Sequence, residues 1–179
     1  VVAGEYFIGA IITFTDSNAA DNSNFDATTV SFLGLFFINA GLNDAWVHDG
    51  APFQGFFFTV FPELGFFFLA MFTFDSVPPG PSVPPAVFGA VDQRWVSGVS
   101  AYSGNSVTIS VELTSGGIFN SSDPLATQES GYGTITIVFI NCNEALLTYD
   151  FPSVGLSGEM TLTRVVTDNV ALCQELAVP

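Results

Sequence analysis

Residues 107–114 alternate without a break: Val107, Ile109, Val111 and Leu113 are apolar, while Thr108, Ser110, Glu112 and Thr114 are polar. A period of two sends one set to a core and the other to water, so the segment reads as a strand with one wet face. Residues 134–140, 146–149 and 159–166 repeat the pattern in shorter form, with Gly, Asn, Pro and Ser between them. Residues 6–15 and 28–38 read as strands at the front of the chain. No stretch sustains a 3.6-residue period, although residues 170–176 can hold a helical turn. Short strands punctuated by turn residues predict an all-β fold, an antiparallel sandwich or barrel of roughly eight to ten short strands with an N-terminal strand arm. Residues 1–43 are assigned to the front strands or arm and 44–179 to the core domain, a division that one continuous domain would also accommodate.

The longest apolar stretch, residues 55–74, has about the length of a membrane-crossing helix. Pro62-Glu63-Leu64-Gly65 sits in its middle, and Pro and Gly break helices while Glu is expensive in hydrocarbon. Phe and Val favour strands, so residues 55–61 and 65–74 read as a hairpin. In Phe56-Phe57-Phe58 and Phe66-Phe67-Phe68, consecutive side chains point to opposite faces, which makes both faces of the hairpin apolar. One face packs on a core. The other needs the N-terminal strands, a partner subunit, a bilayer or an apolar ligand. Phe32, Phe36, Phe37, Phe56, Phe57, Phe58, Phe66, Phe67 and Phe68 are therefore the candidate assembly or ligand surface.

Composition sharpens this question. The chain holds 20 Phe, no Lys and two Arg, is 11% charged, and has a net charge of −15 and a mean hydropathy of +0.50. Thirteen of the Phe fall between residues 32 and 74. Such an acidic surface repels phosphate backbones and anionic headgroups, which excludes nucleic acid and disfavours membranes. An outer-membrane barrel is further disfavoured by the Pro-rich stretch 77–85 and by an end in Ala177-Val178-Pro179 without a terminal aromatic. A start at Val1 without a basic region and apolar leader suggests a mature exported product, at the cell surface or outside the cell, with an arbitrary boundary as the alternative. Two cysteines, Cys142 and Cys173, suggest one disulfide in that setting, and two buried thiols otherwise. Asn120-Ser121-Ser122 is a formal glycosylation acceptor.

From Ala45 onward the motif order resembles a widespread uncharacterised family of exported bacterial proteins, many of them lipoproteins. Ala45-Trp46-Val47, Gln54-Gly55-Phe56 and Phe72-Thr73-Phe74-Asp75 stand where that family reads Gly-x-Trp-Tyr-Asn-Pro, Gly-Gln-Gly-Phe and Trp-Phe-Thr-Tyr-Asp. Gln93-Arg94-Trp95-Val96-Ser97-Gly98, Gly133-Thr134-Ile135-Thr136, Phe139-Ile140-Asn141-Cys142-Asn143 and Leu162-Thr163-Arg164 continue the match before Cys173. His48-Asp49, Met71 and the Pro-rich insertion depart from the family pattern, and residues 1–40 lie outside it. The resemblance implies export, a β architecture and a Cys142–Cys173 bridge, but no reaction. A second likeness is to lipocalin- and avidin-like barrels, in which a Gly-x-Trp on the first core strand is covered by an Arg from the last. It implies a Trp46–Arg164 pair, favourable when a guanidinium stacks on an indole. Two residues that never touch are the alternative.

Candidate chemistry is sparse. His48 is the only histidine, no Gly-x-Ser-x-Gly elbow is present, and one His with two spaced Cys does not make a closed zinc site. Asp44, Asp49, Asp75 and Asp92 flank aromatic strands and could serve a glycosidase, although exposed loop acids are the plainer account. Trp46, Trp95, Tyr102 and Tyr132 could stack on sugar rings. Asp16, Asn18, Asp21 and Asp26, with Asn22 and Asn24 among them, offer hard oxygens of the kind calcium prefers. A solvated loop of Asx turns is the plainer account of them, and no other cofactor is implied.

These features point to a non-enzymatic exported structural protein that assembles with copies of itself, as a fibre, pilus-like filament or surface coat. Its strand arm, carrying Tyr6, Ile8, Ile11 and Phe14, would complete a neighbour's sheet. The alternative is a monomeric calycin-like binder of a small apolar ligand or glycan.

Overall fold

In the computed structural model, residues 36–74, 93–117 and 120–177 are described. Eight strands follow one another in chain order: β1 (Asp44–Val47), β2 (Gly55–Phe61), β3 (Phe66–Phe74), β4 (Gln93–Ala101), β5 (Ser106–Ser115), β6 (Thr127–Phe139), β7 (Glu144–Phe151) and β8 (Leu156–Arg164). Each pairs antiparallel with the next, and β8 returns to β1 through Trp46↔Arg164 and Val47↔Thr163, closing a barrel. Of the two expected architectures, sandwich and barrel, the chain adopts the barrel. A 3-10 turn (Ala40–Leu42) precedes β1, and the helix α1 (Val170–Leu176) follows β8.

Alternation decides which side chains fill the interior. Phe56, Phe58 and Val60 of β2 are buried and Phe57 and Phe61 exposed; on β5, Val107, Ile109 and Val111 are buried between exposed Thr108 and Ser110. The β2–β3 and β7–β8 connections are the same device at opposite ends of the barrel. Each reads Phe-Pro-x-x-Gly, with Pro opening a 3-10 turn and a left-handed glycine closing it, Gly65 at φ 67° and Gly155 at φ 62°. Left-handed φ is easy for glycine and strained for other residues, so these two positions fix where the chain reverses. The register of β5 against β6 shifts between Val111 and Leu113, and β6 carries the extra residues. This bulge allows the adjacent Tyr132 and Gly133 both to be buried.

The hairpin expected at residues 55–74 forms with its turn at Pro62–Leu64. Strands β6, β7 and β8 begin before the segments that alternation marked, β8 ends at Arg164 rather than at residue 166, and the helical turn at residues 170–176 is α1. The expected strand 28–38 is irregular over residues 36–38, and the rest of it lies outside the described residues, as does the expected strand 6–15. The compact unit holding the barrel runs Gly34–Pro179. Residues 36–43 thus belong with the core rather than with an arm: Ile38 and Leu42 are buried in the same cluster as Trp46 and Phe139.

Candidate functional site

The two ends of the barrel differ. At the end entered by the 3-10 turn, aromatic side chains fill the interior. Trp46 lies 5.6 Å from both Phe58 and Phe139, and Phe67 lies 5.2 Å from Phe58 and 6.0 Å from Phe139, measured between ring centroids. Arg164 covers this plug. Its guanidinium stands 4.8 Å from the centre of the Trp46 ring and donates to Asp44 at 2.8 Å, to the Gly41 carbonyl at 2.5 Å and to the Cys142 carbonyl. Trp46 Nε1 donates to the Leu42 carbonyl at 3.2 Å. Asn39 accepts from Gly41 N–H and donates to the Phe37 and Cys173 carbonyls, tying the 3-10 turn to α1. A disulfide joins Cys142 to Cys173 over the same end. Among the described residues no buried side-chain N or O lacks a hydrogen-bond partner, and the arrangement stoppers this end of the barrel.

The opposite end, reached along β2 towards Gly55 and along β7 towards Phe151, is hollow. A cavity of about 340 Å³ is lined by Met71, Val96, Tyr132, Leu147, Tyr149, Phe151 and Met160, with Gln54, Thr73 and Arg94 as its polar members. Tyr132 and Tyr149 flank Phe151, with ring centroids 5.1 and 5.4 Å from it. Thr73 Oγ1 donates to Gln54 Oε1, which fixes a polar edge. A small recess of about 40 Å³ shares Gln54, Met71, Thr73 and Met160 with the cavity and reaches the β1–β8 seam. There His48 Nδ1 donates to the Thr161 carbonyl at 2.9 Å, just past the point where β1 stops pairing with β8. An eight-stranded barrel has an interior just wide enough for packed side chains or one small ligand, and this one is packed at one end and hollow at the other. A larger hollow of about 680 Å³ lies near the disulfide and is lined by Asn141, Glu144, Thr163 and Gln174 among others. It is a more open surface depression, and its Arg164 is fully engaged in the stopper.

The outer surface is also two-sided. On β2–β4 it presents Phe57, Phe61, Phe66, Phe72, Phe74, Trp95 and Val99, all exposed, with Phe74 also at the rim of the cavity. On β5–β8 it presents Thr108, Ser110, Thr134, Thr148, Asp150, Glu159 and Thr161. Among the described strands the apolar outer surface is thus concentrated on β2–β4.

The barrel sorts the expected surface residues by face. Phe56, Phe58 and Phe67 line the interior and are unavailable to any partner, which corrects their place in the assembly surface; Phe57 and Phe66 point outward, Phe68 is half-buried, and Phe36 packs on Phe139. Phe37 is half-buried beside the 3-10 turn. Trp46 and Arg164 do meet. Trp46 is wholly buried and Trp95 lies on the outer face, so the four aromatics proposed for sugar stacking share no platform. Asp44 is the partner of Arg164, and Asp75 and Asp92 lie outside the described residues. So do Phe32, the arm residues Tyr6, Ile8, Ile11 and Phe14, and the calcium candidates Asp16, Asn18, Asp21 and Asp26. Among the described residues, no three His, Cys, Asp or Glu side chains cluster as metal ligands would. Sequence patterning passed over Met71, Leu147 and Met160, because a cavity wall has the same inward parity as a packed core. The one available signal was that the chain's only two methionines, flexible side chains suited to adaptable sites, both fall on inward positions. No family model matches the chain, and no curated protein or solved structure is significantly similar to it.

Proposed function

We propose that this protein is a non-enzymatic binder of a small apolar molecule, taken up in the open end of the barrel. The observation that carries the proposal is the cavity of about 340 Å³ above a solid aromatic floor. That volume is at the lower end of small-molecule sites, and the mixture of Met, Leu and aromatic walls with few polar groups matches their usual chemistry. Gln54, Thr73 and Arg94 stand together on one side of the wall, so the favoured ligand has a short apolar body and one polar or acidic end. Tyr132, Tyr149 and Phe151 suit a flat or unsaturated body.

The stopper supports the same reading. Trp46 covered by Arg164 is the pairing that the likeness to lipocalin- and avidin-like barrels implies, and with this end closed a ligand has only the opposite end to enter. The disulfide favours an oxidising compartment, in keeping with export. Growth into fibres by strand donation finds less support, because pairing of β8 with β1 closes the sheet.

Calorimetric titration with octanoate and with octanol tests the proposal. Saturable one-to-one binding is expected for at least one of them, and Val154→Trp, at the exposed rim, is expected to weaken it at least tenfold without unfolding the protein. Heats indistinguishable from dilution for both ligands would refute the proposal.

A further inference from the structure

The outer face of β2–β4 is the feature that ligand binding leaves unexplained. We infer that it pairs with the same face of a second copy of this chain, giving a closed two-fold dimer. Phe57, Phe61, Phe66, Phe72, Phe74, Trp95 and Val99 are each between 41% and 59% exposed and occupy three adjacent strands. Six aromatic side chains, each exposed by nearly half, amount to roughly 400–700 Å² of apolar surface, and Val99 and Phe68 add to it. A typical monomer's largest apolar patch is about 300–600 Å², and a stable interface takes roughly 600–1,000 Å² from each partner. The face therefore sits at the lower bound for a real dimer.

Charge selects the partner. Strands β2–β4 contain no Asp or Glu, whereas Glu112, Glu129, Glu144, Asp150 and Glu159 lie on β5–β8. The β2–β4 strands thus offer a second copy a face without strand carboxylates, bordered by Glu63 in the β2–β3 turn, in a chain of net charge −15. The rings are also set in advance. Phe57 meets Phe72 edge-on at 5.8 Å, and Phe72 stacks on Trp95 at 6.1 Å, a ridge running across the three strands. Little side-chain freedom remains to be lost on docking. Buried Ala70, directly opposite Phe57 on β3, leaves a low spot beside that ridge. Because one face pairs with itself, the contact is isologous and closes at two copies; a filament needs a second, different surface.

Sedimentation velocity of the full chain between 2 and 200 µM (roughly the window for an interface of this size) tests the inference. A monomer–dimer equilibrium is expected, and the triple variant Phe57→Thr, Phe72→Thr, Trp95→Thr is expected to remain monomeric with unchanged far-ultraviolet circular dichroism. Should that variant fail to fold, the single change Val99→Glu on the same face is expected to raise the dissociation constant at least tenfold. A wild-type chain monomeric throughout would overturn the inference, whether the face is bare or taken by the chain's own first residues. So would monomers that float with phosphatidylcholine vesicles, which would assign the face to lipid. Dimers that survive both sets of substitutions, or species that grow beyond two copies, would also overturn it.

Discussion

Trp46 and Arg164 are Cα partners across the seam where β8 meets β1, and the Arg164 guanidinium lies over the Trp46 ring at 4.8 Å. The same guanidinium holds Asp44 and the carbonyls of Gly41 and Cys142, so one side chain joins the 3-10 turn, β1, the β6–β7 connection and β8. Its side chain is 1% exposed and that of Asp44 is 8%. Removing one member of a buried ion pair leaves the other charge unsatisfied, which costs about 3–5 kcal/mol. Arg164→Met is expected to destabilise the barrel by about that amount in urea titrations. Arg164→Lys is expected to recover less than half of the loss, because a single ammonium does not reproduce the planar fork. A neutral Arg164→Met would show that the seam is held by strand pairing alone.

The Cys142–Cys173 bridge spans 31 residues and anchors α1 over the stopper. In the chain-entropy account a loop of this size contributes about 3–4 kcal/mol. Reduction, or Cys142→Ser with Cys173→Ser, is expected to lower stability by that order and to expose the α1 amides to hydrogen exchange before those of β5 and β6. Intact mass after alkylation in denaturant without reductant is expected to show no added groups.

Gly133 faces inward on β6, close against the end of β7. A Cβ there would stand 2.3 Å from the Asp150 carbonyl oxygen and 2.5 Å from Phe151 Cδ1. Backbone on one side and a cavity-wall ring on the other leave no flexible atom to yield. Gly133→Ala is expected to destabilise by about 1–3 kcal/mol and to alter the cavity at Phe151, reducing octanoate affinity as well. Equal stability and affinity would mean that β6 and β7 shift apart freely.

Strand β5 was legible from strict alternation, and the β2–β3 hairpin from a long Phe- and Val-rich run broken in its middle by Pro62-Glu63-Leu64-Gly65. Strand β1 was not, since Asp44-Ala45-Trp46-Val47 is too short to show a period, and in β4 the Ser97-Gly98 pair interrupts the apolar signal. That the hairpin is apolar on both faces was readable; that one face is a barrel interior followed only from closure. The Trp46–Arg164 pair was reachable through likeness alone, because nothing local to either residue marks the other. The cavity was illegible for a physical reason: empty space at the barrel mouth depends on side-chain volumes summed over β2, β3, β4, β6, β7 and β8.

Met71 and Met160 are the only methionines in the chain, and both line the cavity. With methyl-13C-methionine the protein is expected to give two methyl resonances, each reporting on the open end of the barrel and neither lying on the β2–β4 outer face. Titration with octanoate or octanol is expected to move both resonances saturably, with one common dissociation constant. If both stay fixed while the protein remains folded and either ligand is in large excess, the open end of the barrel is not a binding site.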